Sequence, residues 1–136
     1  MKSDTIIISI HPVFVNKLLS GEKQYEYRKR FPKGIRYVLV YATSPVKKIT
    51  ALLVIESILK DSPDNIWNKT SNNSGVTKEF FDTYFNNKAV AYAIRIKKVY
   101  KFKEPLLISD LKGINAAPQS YIYLKESIIN IINQYL

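Results

Sequence analysis

The stretch from Ala89 to Lys103 (AVAYAIRIKKVYKFK) is the feature that most restricts the fold of this chain. From Ile94 onward apolar residues alternate with basic ones, and side chains two residues apart lie on the same face of a strand. The pattern predicts one long, bulged strand whose apolar face meets a core and whose other face is basic. The predicted apolar face consists of Ile94, Ile96, Tyr100 and Phe102, and the basic face of Arg95, Lys97, Lys101 and Lys103.

Four shorter segments also have the composition of strands. Three of them are rich in β-branched or aromatic residues and are bounded by polar or turn-forming residues: Ile6–Ile10, Tyr37–Thr43 and Ile49–Leu59. The fourth, Lys23–Arg30, alternates aromatic and charged side chains over its middle, which also predicts an extended conformation.

Short helices are predicted between these strands from their end signals. Pro12 suits the first turn of a helix, and Gly21 suits the left-handed residue that ends it. Three further helices are predicted from their N-cap residues, which are Ser62, Thr77 and Ser120. The last of them extends over residues 121–136. Strands interleaved with short helices predict an α+β fold, with a mixed, curled sheet of about five to six strands and a C-terminal helix.

Length and composition exclude several classes of protein. A chain of 136 residues with 46% apolar content is long enough for one core, so residues 1–136 are predicted to form a single domain. The absence of Cys excludes disulfide scaffolds, thiolate nucleophiles and Cys-based metal sites, and His11 is the only histidine. We therefore expect neither a metal site nor a cofactor.

The chain contains no segment typical of export or membrane insertion. The first apolar run, over residues 6–10, is too short for a signal peptide, and the run over 51–55 is far shorter than a membrane span. The sequence predicts a cytoplasmic protein with no membrane partner.

Charge is concentrated in one region of a basic chain, which has 21 Lys and Arg against 11 Asp and Glu. Between Lys23 and Lys48 there are eight basic residues and one acidic residue, Glu26, interleaved with Tyr and Phe. Basic and aromatic side chains in this mixture favour a surface that binds phosphates and stacks bases. The alternative is a surplus of lysine that reflects solubility or coding bias. The predicted basic surface around the site comprises Arg30, Lys33, Arg36, Lys47 and Lys48, together with the basic face of the long strand.

Glu26 and Arg28 are the two residues whose pairing most clearly suggests a functional site. A structural ion pair between them is one interpretation. In the other, the carboxylate accepts and the guanidinium donates hydrogen bonds to one polar ligand, such as a nucleobase edge with its adjoining phosphate.

The segment that contains this pair resembles a family signature. Residues 20–28 (SGEKQYEYR), which follow a predicted helix, are similar to the signature of the ASCH (activating-signal-cointegrator homology) family. Three fragments match in the same order: ISIHP at 8–12, YATSP at 41–45 and APQSY at 117–121. The resemblance implies a small β-barrel like that of PUA RNA-binding domains, with a cleft beside the helix-to-strand turn. The residues that it places in this cleft are Lys23, Glu26, Arg28, Ser44, Gln119 and Ser120.

The resemblance leaves the activity open. Some ASCH-like proteins are amidohydrolases of acylated cytidine, which use the lysine of the signature, a threonine three residues later and a glutamate in a later loop. Here Lys23 matches, but Glu26 stands at the threonine position and residues 71–74 contain no carboxylate. Others are associated with RNA cleavage, for which Lys23 would stabilise the transition state and Tyr25 or Tyr41 would transfer a proton.

The leading prediction is an RNA-binding module that recognises RNA or a nucleotide in a basic cleft, of a kind that regulates transcription or translation. The alternative is a small hydrolase of RNA or of a modified nucleoside, with Lys23, Tyr25 and Glu26 as catalytic candidates. A third interpretation takes the aromatic stripe at residues 80–85 as a surface for a protein partner rather than as part of the core.

Overall fold

The computed structural model describes residues 3–136, so the first two residues of the predicted domain lie outside the described part. The strands form one six-stranded sheet in the order β2-β5-β4-β3-β1-β6. Because β1 and β3 pair in parallel and the other neighbours are antiparallel, the sheet is mixed, and it curls into a half-barrel. The strands are β1 (Thr5–Ile10), β2 (Tyr25–Arg28), β3 (Tyr37–Ala42), β4 (Lys48–Asp61), β5 (Ala91–Leu106) and β6 (Tyr121–Tyr123).

Four α-helices flank the sheet: α1 (Pro12–Ser20), α2 (Pro63–Thr70), α3 (Lys78–Tyr84) and α4 (Ile128–Tyr135). The predicted end signals act as expected in the first three. Gly21 ends α1 with φ of +83°, and the hydroxyls of Ser62 and Thr77 accept hydrogen bonds from backbone amides in the first turns of α2 and α3. These features confirm the predicted α+β fold with its short helices. Between residues 3 and 136 no helix has the length and apolarity that crossing a membrane requires.

Both faces of the central strands are buried, because helices cover the sheet on two sides. Ile6 and Ile8 pack with Leu18 of α1, whereas Ile7, which points to the opposite face, packs in a second cluster with Ile131 of α4. A third cluster lies where α2 and α3 cover β2 and the start of β5. It includes Tyr27, Ile66, Phe81 and Phe85. This third cluster forms the wall behind the candidate site.

The C-terminal region differs from the prediction of one helix over residues 121–136. Residues 121–123 instead form β6, which pairs antiparallel with β1, and Leu124 N donates to Thr5 O at 3.0 Å. The helix begins later, with Ser127 rather than Ser120 as its N-cap. The exposed edge of β1 provides backbone partners that the local sequence does not reveal, and pairing there prevails over the helical pattern.

The long strand of the prediction is β5, and its pairing with β4 is bulged as expected. The prediction of its apolar face is wrong for Tyr100, which is 37% exposed, while its neighbour Val99 packs against the core. The register with β4 shifts along the pair, and each shift changes which residues face the core.

Candidate functional site

A cleft of about 170 Å³ opens where β1 ends and α1 begins. β2 and α3 supply its other walls. The polar side chains that line it come from Ser9, His11, Lys23, Glu26 and Arg28. Its aromatic lining consists of Phe14, Tyr27, Phe80, Phe81 and Tyr84.

Lys23 is the most buried charged residue of the cleft, with 3% of its surface exposed. Its Nζ donates to Ser74 O at 2.8 Å and lies 4.9 Å from the ring centroid of Tyr27 and 5.5 Å from that of Phe14. Burial lowers the pKa of this amine, and Glu26 partly opposes that effect. The amine is therefore held in a dry, aromatic environment with few competing hydrogen bonds.

Glu26 and Arg28 form the ion pair that the sequence suggested, and they form it inside the cleft. Arg28 Nη2 donates to Glu26 Oε1 at 2.9 Å and to Ser9 O at 3.0 Å. Glu26 Oε2 lies 3.9 Å from Lys23 Nζ, which is beyond hydrogen-bonding distance. Arg28 Nε is buried and has no hydrogen-bond partner within residues 3–136. The pair is structural, but it leaves an acceptor and a donor with capacity for a ligand.

The segment over residues 73–76 closes over the stem of Lys23. Lys17 Nζ donates to Gly75 O at 3.0 Å, and Gln24 N donates to Asn73 O at 2.9 Å. Gly75 has φ of +67°, and a Cβ placed on it would lie 2.5 Å from the Cβ of Lys23. Only glycine fits between this segment and the lysine. Sequence reasoning missed Ser74 and Gly75, for which the single glycine in a polar stretch was the available signal.

Besides Tyr84 of α3, the tyrosine in the cleft is Tyr27, rather than the predicted candidates Tyr25 and Tyr41. Its hydroxyl lies 2.7 Å from Thr70 Oγ1, which itself donates to Ile66 O, so the tyrosine is the donor. Burial raises the pKa of Tyr27 to about 12. Tyr25 packs in the third cluster beneath Arg95, and Tyr41 packs in the second. The structure brings neither of these two to the lining of the cleft.

The other predicted cleft residues lie around the same end of the sheet but outside the lining. Ser44, Gln119 and Ser120 are exposed. Two hydrogen bonds hold their segments near β1: Ser9 Oγ donates to Pro118 O at 2.7 Å, and Thr43 N donates to Ile10 O at 3.0 Å. These residues flank the cleft.

The predicted basic surface is divided between the two ends of the sheet. Ile10 pairs with Ala42, which pairs with Lys48, so Lys47 and Lys48 lie at the edge where the cleft opens. Arg36 precedes the first residue of β3 and lies at the opposite end of that strand. The exposed residues Arg30 and Lys33 follow β2. The basic residues of β5, Arg95, Lys97, Lys101 and Lys103, are all exposed. They do not share the single face that was predicted, because Ile96 packs in the cluster that contains Leu18 and Phe102 packs in the second cluster, on the opposite face of the sheet.

The aromatic stripe of α3 is divided between the core and the cleft. Phe81 and Phe85 are buried, as the core interpretation expects. Phe80 is 47% exposed and packs against Phe14 with ring centroids 5.2 Å apart. His11, whose Nδ1 accepts from Val13 N as the N-cap of α1, stands beside Phe14. The exposed part of the stripe therefore belongs to the mouth of the cleft.

Comparison with known proteins identifies the family. The ASCH domain family model matches residues 8–100, which is more than half of the chain and includes the end of β1, Lys23, Glu26 and Arg28. This chain belongs to the ASCH domain family. The resemblance in residues 20–28 is thereby confirmed.

Individual relatives differ in how much of their length this ASCH domain spans. Large ribosomal subunit protein uL22 of Ureaplasma parvum serovar 3 is 34% identical over 125 residues, a match that covers 90% of this chain and 40% of that protein. An ASCH domain-containing ribonuclease of Zymomonas mobilis subsp. mobilis is 28% identical over 127 residues, covering 88% of this chain and 84% of the relative. The crystal structure of ASCH from Zymomonas mobilis matches with a TM-score of 0.87 at 22% identity, over 98% of this chain and 96% of that one. The fold is that of an ASCH domain.

Proposed function

We propose that this ASCH domain, as a single domain, binds single-stranded RNA and takes one nucleotide into the cleft. The observation that carries the proposal is the arrangement of Lys23, Glu26 and Arg28 within an aromatic wall. Buried donors and acceptors select a ligand by its hydrogen-bonding pattern, and aromatic rings stack on bases. RNA recognition usually targets unpaired bases because these expose both their edges and their faces.

The surroundings of the cleft support an extended, negatively charged ligand. Lys47 and Lys48 lie at the edge where the cleft opens, and both are exposed. Phe80 and Phe14 offer an aromatic surface at the mouth. A strand of RNA with one base inside the cleft would place its phosphates near the two lysines. The relative from Zymomonas mobilis is an ASCH domain-containing ribonuclease, and RNA is the substrate of a ribonuclease.

We expect RNA affinity to fall steeply with salt, because each phosphate that is neutralised releases counterions. The measurement is fluorescence anisotropy of a labelled single-stranded RNA at two salt concentrations. The slope of log K against log salt for a single strand is about −0.7 for each phosphate contact. Charge reversal at both Lys47 and Lys48 should weaken all RNAs alike and make this slope shallower.

The matched control reverses charge at Lys112 and Lys125, which are exposed near the start of β1, at the opposite end of that strand from the cleft. This variant has the same net charge as the Lys47 and Lys48 variant. If the two double variants lose affinity equally, RNA is attracted by overall charge and the proposed binding edge is wrong. Salt-insensitive binding would contradict the proposal as well.

Ribonuclease activity is the second candidate, and one observation favours it. Burial lowers the pKa of the Lys23 amine, and perturbed lysines in clefts are frequent in catalytic sites. The same titration samples, run on a denaturing gel, decide between the two functions. Intact RNA supports binding alone, whereas cleavage that disappears in Lys23→Met would make this domain a ribonuclease.

A further inference from the structure

The cleft presents its polar groups in a fixed order that corresponds to one base edge. Glu26 stands between two cations, with Oε1 bonded to Arg28 and Oε2 facing Lys23 at 3.9 Å. Across the site the order is therefore donor, acceptor, donor. Only 8% of the surface of Glu26 and 3% of that of Lys23 is exposed, so water competes weakly for these groups.

We propose that the cleft selects uracil, an inference that rests on the proposed RNA-binding function. The Watson–Crick edge of uracil has an N3–H between two carbonyl oxygens, which is the complement of this order. The N3–H would donate to Glu26 Oε2, and the two carbonyls would accept from the Lys23 amine and the Arg28 guanidinium. The unpartnered Arg28 Nε is a donor that such a carbonyl would satisfy.

The other bases each place a group of the wrong kind in this array. Cytosine and adenine present a ring nitrogen lone pair where the carboxylate of Glu26 requires a donor, and an amino group where a cation requires an acceptor. Guanine has a ring N–H, but its amino group would face one of the two cations. A buried donor that meets another donor loses its hydrogen bond without recovering water, which is the basis of strong discrimination. Thymine shares the edge of uracil, so this discrimination concerns the base and not the sugar.

The size and the walls of the cleft agree with a pyrimidine. The cavity measures about 170 Å³, and an apolar cavity of about 150 Å³ holds a single benzene ring. The rings of Phe14 and Tyr27, which flank Lys23 Nζ, would contact the faces of the base. A single six-membered ring fills this space better than the double ring of a purine.

The test is the affinity of the full chain for the five-nucleotide RNA AAXAA, in which X is each of the four bases or 3-methyluridine. We expect uridine to bind about tenfold to a hundredfold more tightly than cytidine, adenosine or guanosine, the range of one well-formed base-edge contact. The 3-methyl group removes the N3–H, so 3-methyluridine should bind no better than cytidine. Because this comparison uses the unaltered protein, it does not depend on whether any variant folds.

The Glu26→Gln variant provides a second readout. Arg28 donates to Oε1 of residue 26, and that contact would orient the amide so that its NH₂ replaces Oε2. The central position then donates, so the preference for uridine should vanish and cytidine should gain. Glu56→Gln is the matched control, since it changes an exposed carboxylate paired with Arg95 and should keep the preference.

The outcomes separate this inference from the function on which it rests. Salt-sensitive binding of all five RNAs with equal affinity overturns uracil selection and leaves RNA binding intact. A preference for guanosine, adenosine or cytidine, or undiminished binding of 3-methyluridine, also overturns it. If none of the RNAs binds at any salt concentration, both the proposed function and the inference are wrong.

Discussion

Replacing Glu26 with alanine is expected to destabilise the protein by about 3–5 kcal/mol, because it leaves two cations in a dry cleft without their shared carboxylate. The side chains of Lys23 and Arg28 are 2% and 18% exposed, so water replaces the lost partner poorly. The measurement is urea unfolding followed by circular dichroism. Glu56→Ala serves as the control, since its pair with Arg95 is about half exposed and such pairs contribute about 0–1 kcal/mol.

The loss in Glu26→Ala should be smaller at pH 9 than at pH 7. Burial lowers the pKa of Lys23 and Glu26 raises it, so removing the carboxylate lowers that pKa further. A base whose pKa is lower in the folded state than in the unfolded state stabilises the fold increasingly as pH rises through the window between the two values. In the variant, folded Lys23 releases its proton more readily at pH 9, which removes part of the free-energy cost of burying its unpaired charge. A destabilisation equal to that of Glu56→Ala would show that the buried pair contributes no more than an exposed one.

Replacing Gly75 with alanine is expected to cost about 2–5 kcal/mol and to reduce RNA affinity. The left-handed conformation at this position penalises any residue with a Cβ by about 1–2 kcal/mol. Overpacking adds about 1–3 kcal/mol, because the new methyl group would lie 2.5 Å from the Cβ and 2.8 Å from the Cγ of Lys23. The contacts are with the root of the lysine side chain, which moves only if the backbone moves. Lys23 would therefore be displaced from the cleft.

Gly34→Ala is the matched control for this prediction. Gly34 also has a positive φ, of +77°, but no atom lies within 4 Å of a Cβ placed there. It should show the conformational cost alone and keep the RNA affinity of the unaltered protein. Thermal unfolding and the anisotropy titration measure both quantities on each variant. If the two substitutions have equal effects, the closure over Lys23 does not position it.

Local chemistry was sufficient to predict the elements around the site. Pro12 and Gly21 delimit α1, because the ring of proline fixes a φ that suits the first turn of a helix and glycine readily adopts the left-handed φ that ends one. Each of these signals depends on a single residue. Glu26 and Arg28 were predicted as a pair because residues two apart in a strand share a face, and they form that pair on β2. The alternating pattern after Ile94 likewise predicted β5, whose basic residues are exposed.

The same reasoning could not show which tyrosine of β2 lines the cleft. Tyr25 and Tyr27 alternate identically with charged residues along β2. Tyr27 lies in the cleft because Thr70, 43 residues away, accepts a hydrogen bond from its hydroxyl and because Phe81 packs edge-on to its ring. Neither contact has a signal in the sequence near the tyrosine.

The residue types of the cleft, the caps of its helix and the basic character of its edge follow from the sequence, because each depends on a few neighbouring residues. Chain folding over long separations sets the burial of Lys23 beneath Ser74, 51 residues away, and the pairing of β6 with β1. These contacts turn an ordinary lysine into a desolvated one, since the segments that exclude water from it are brought there only by the packing of α2, α3 and the sheet.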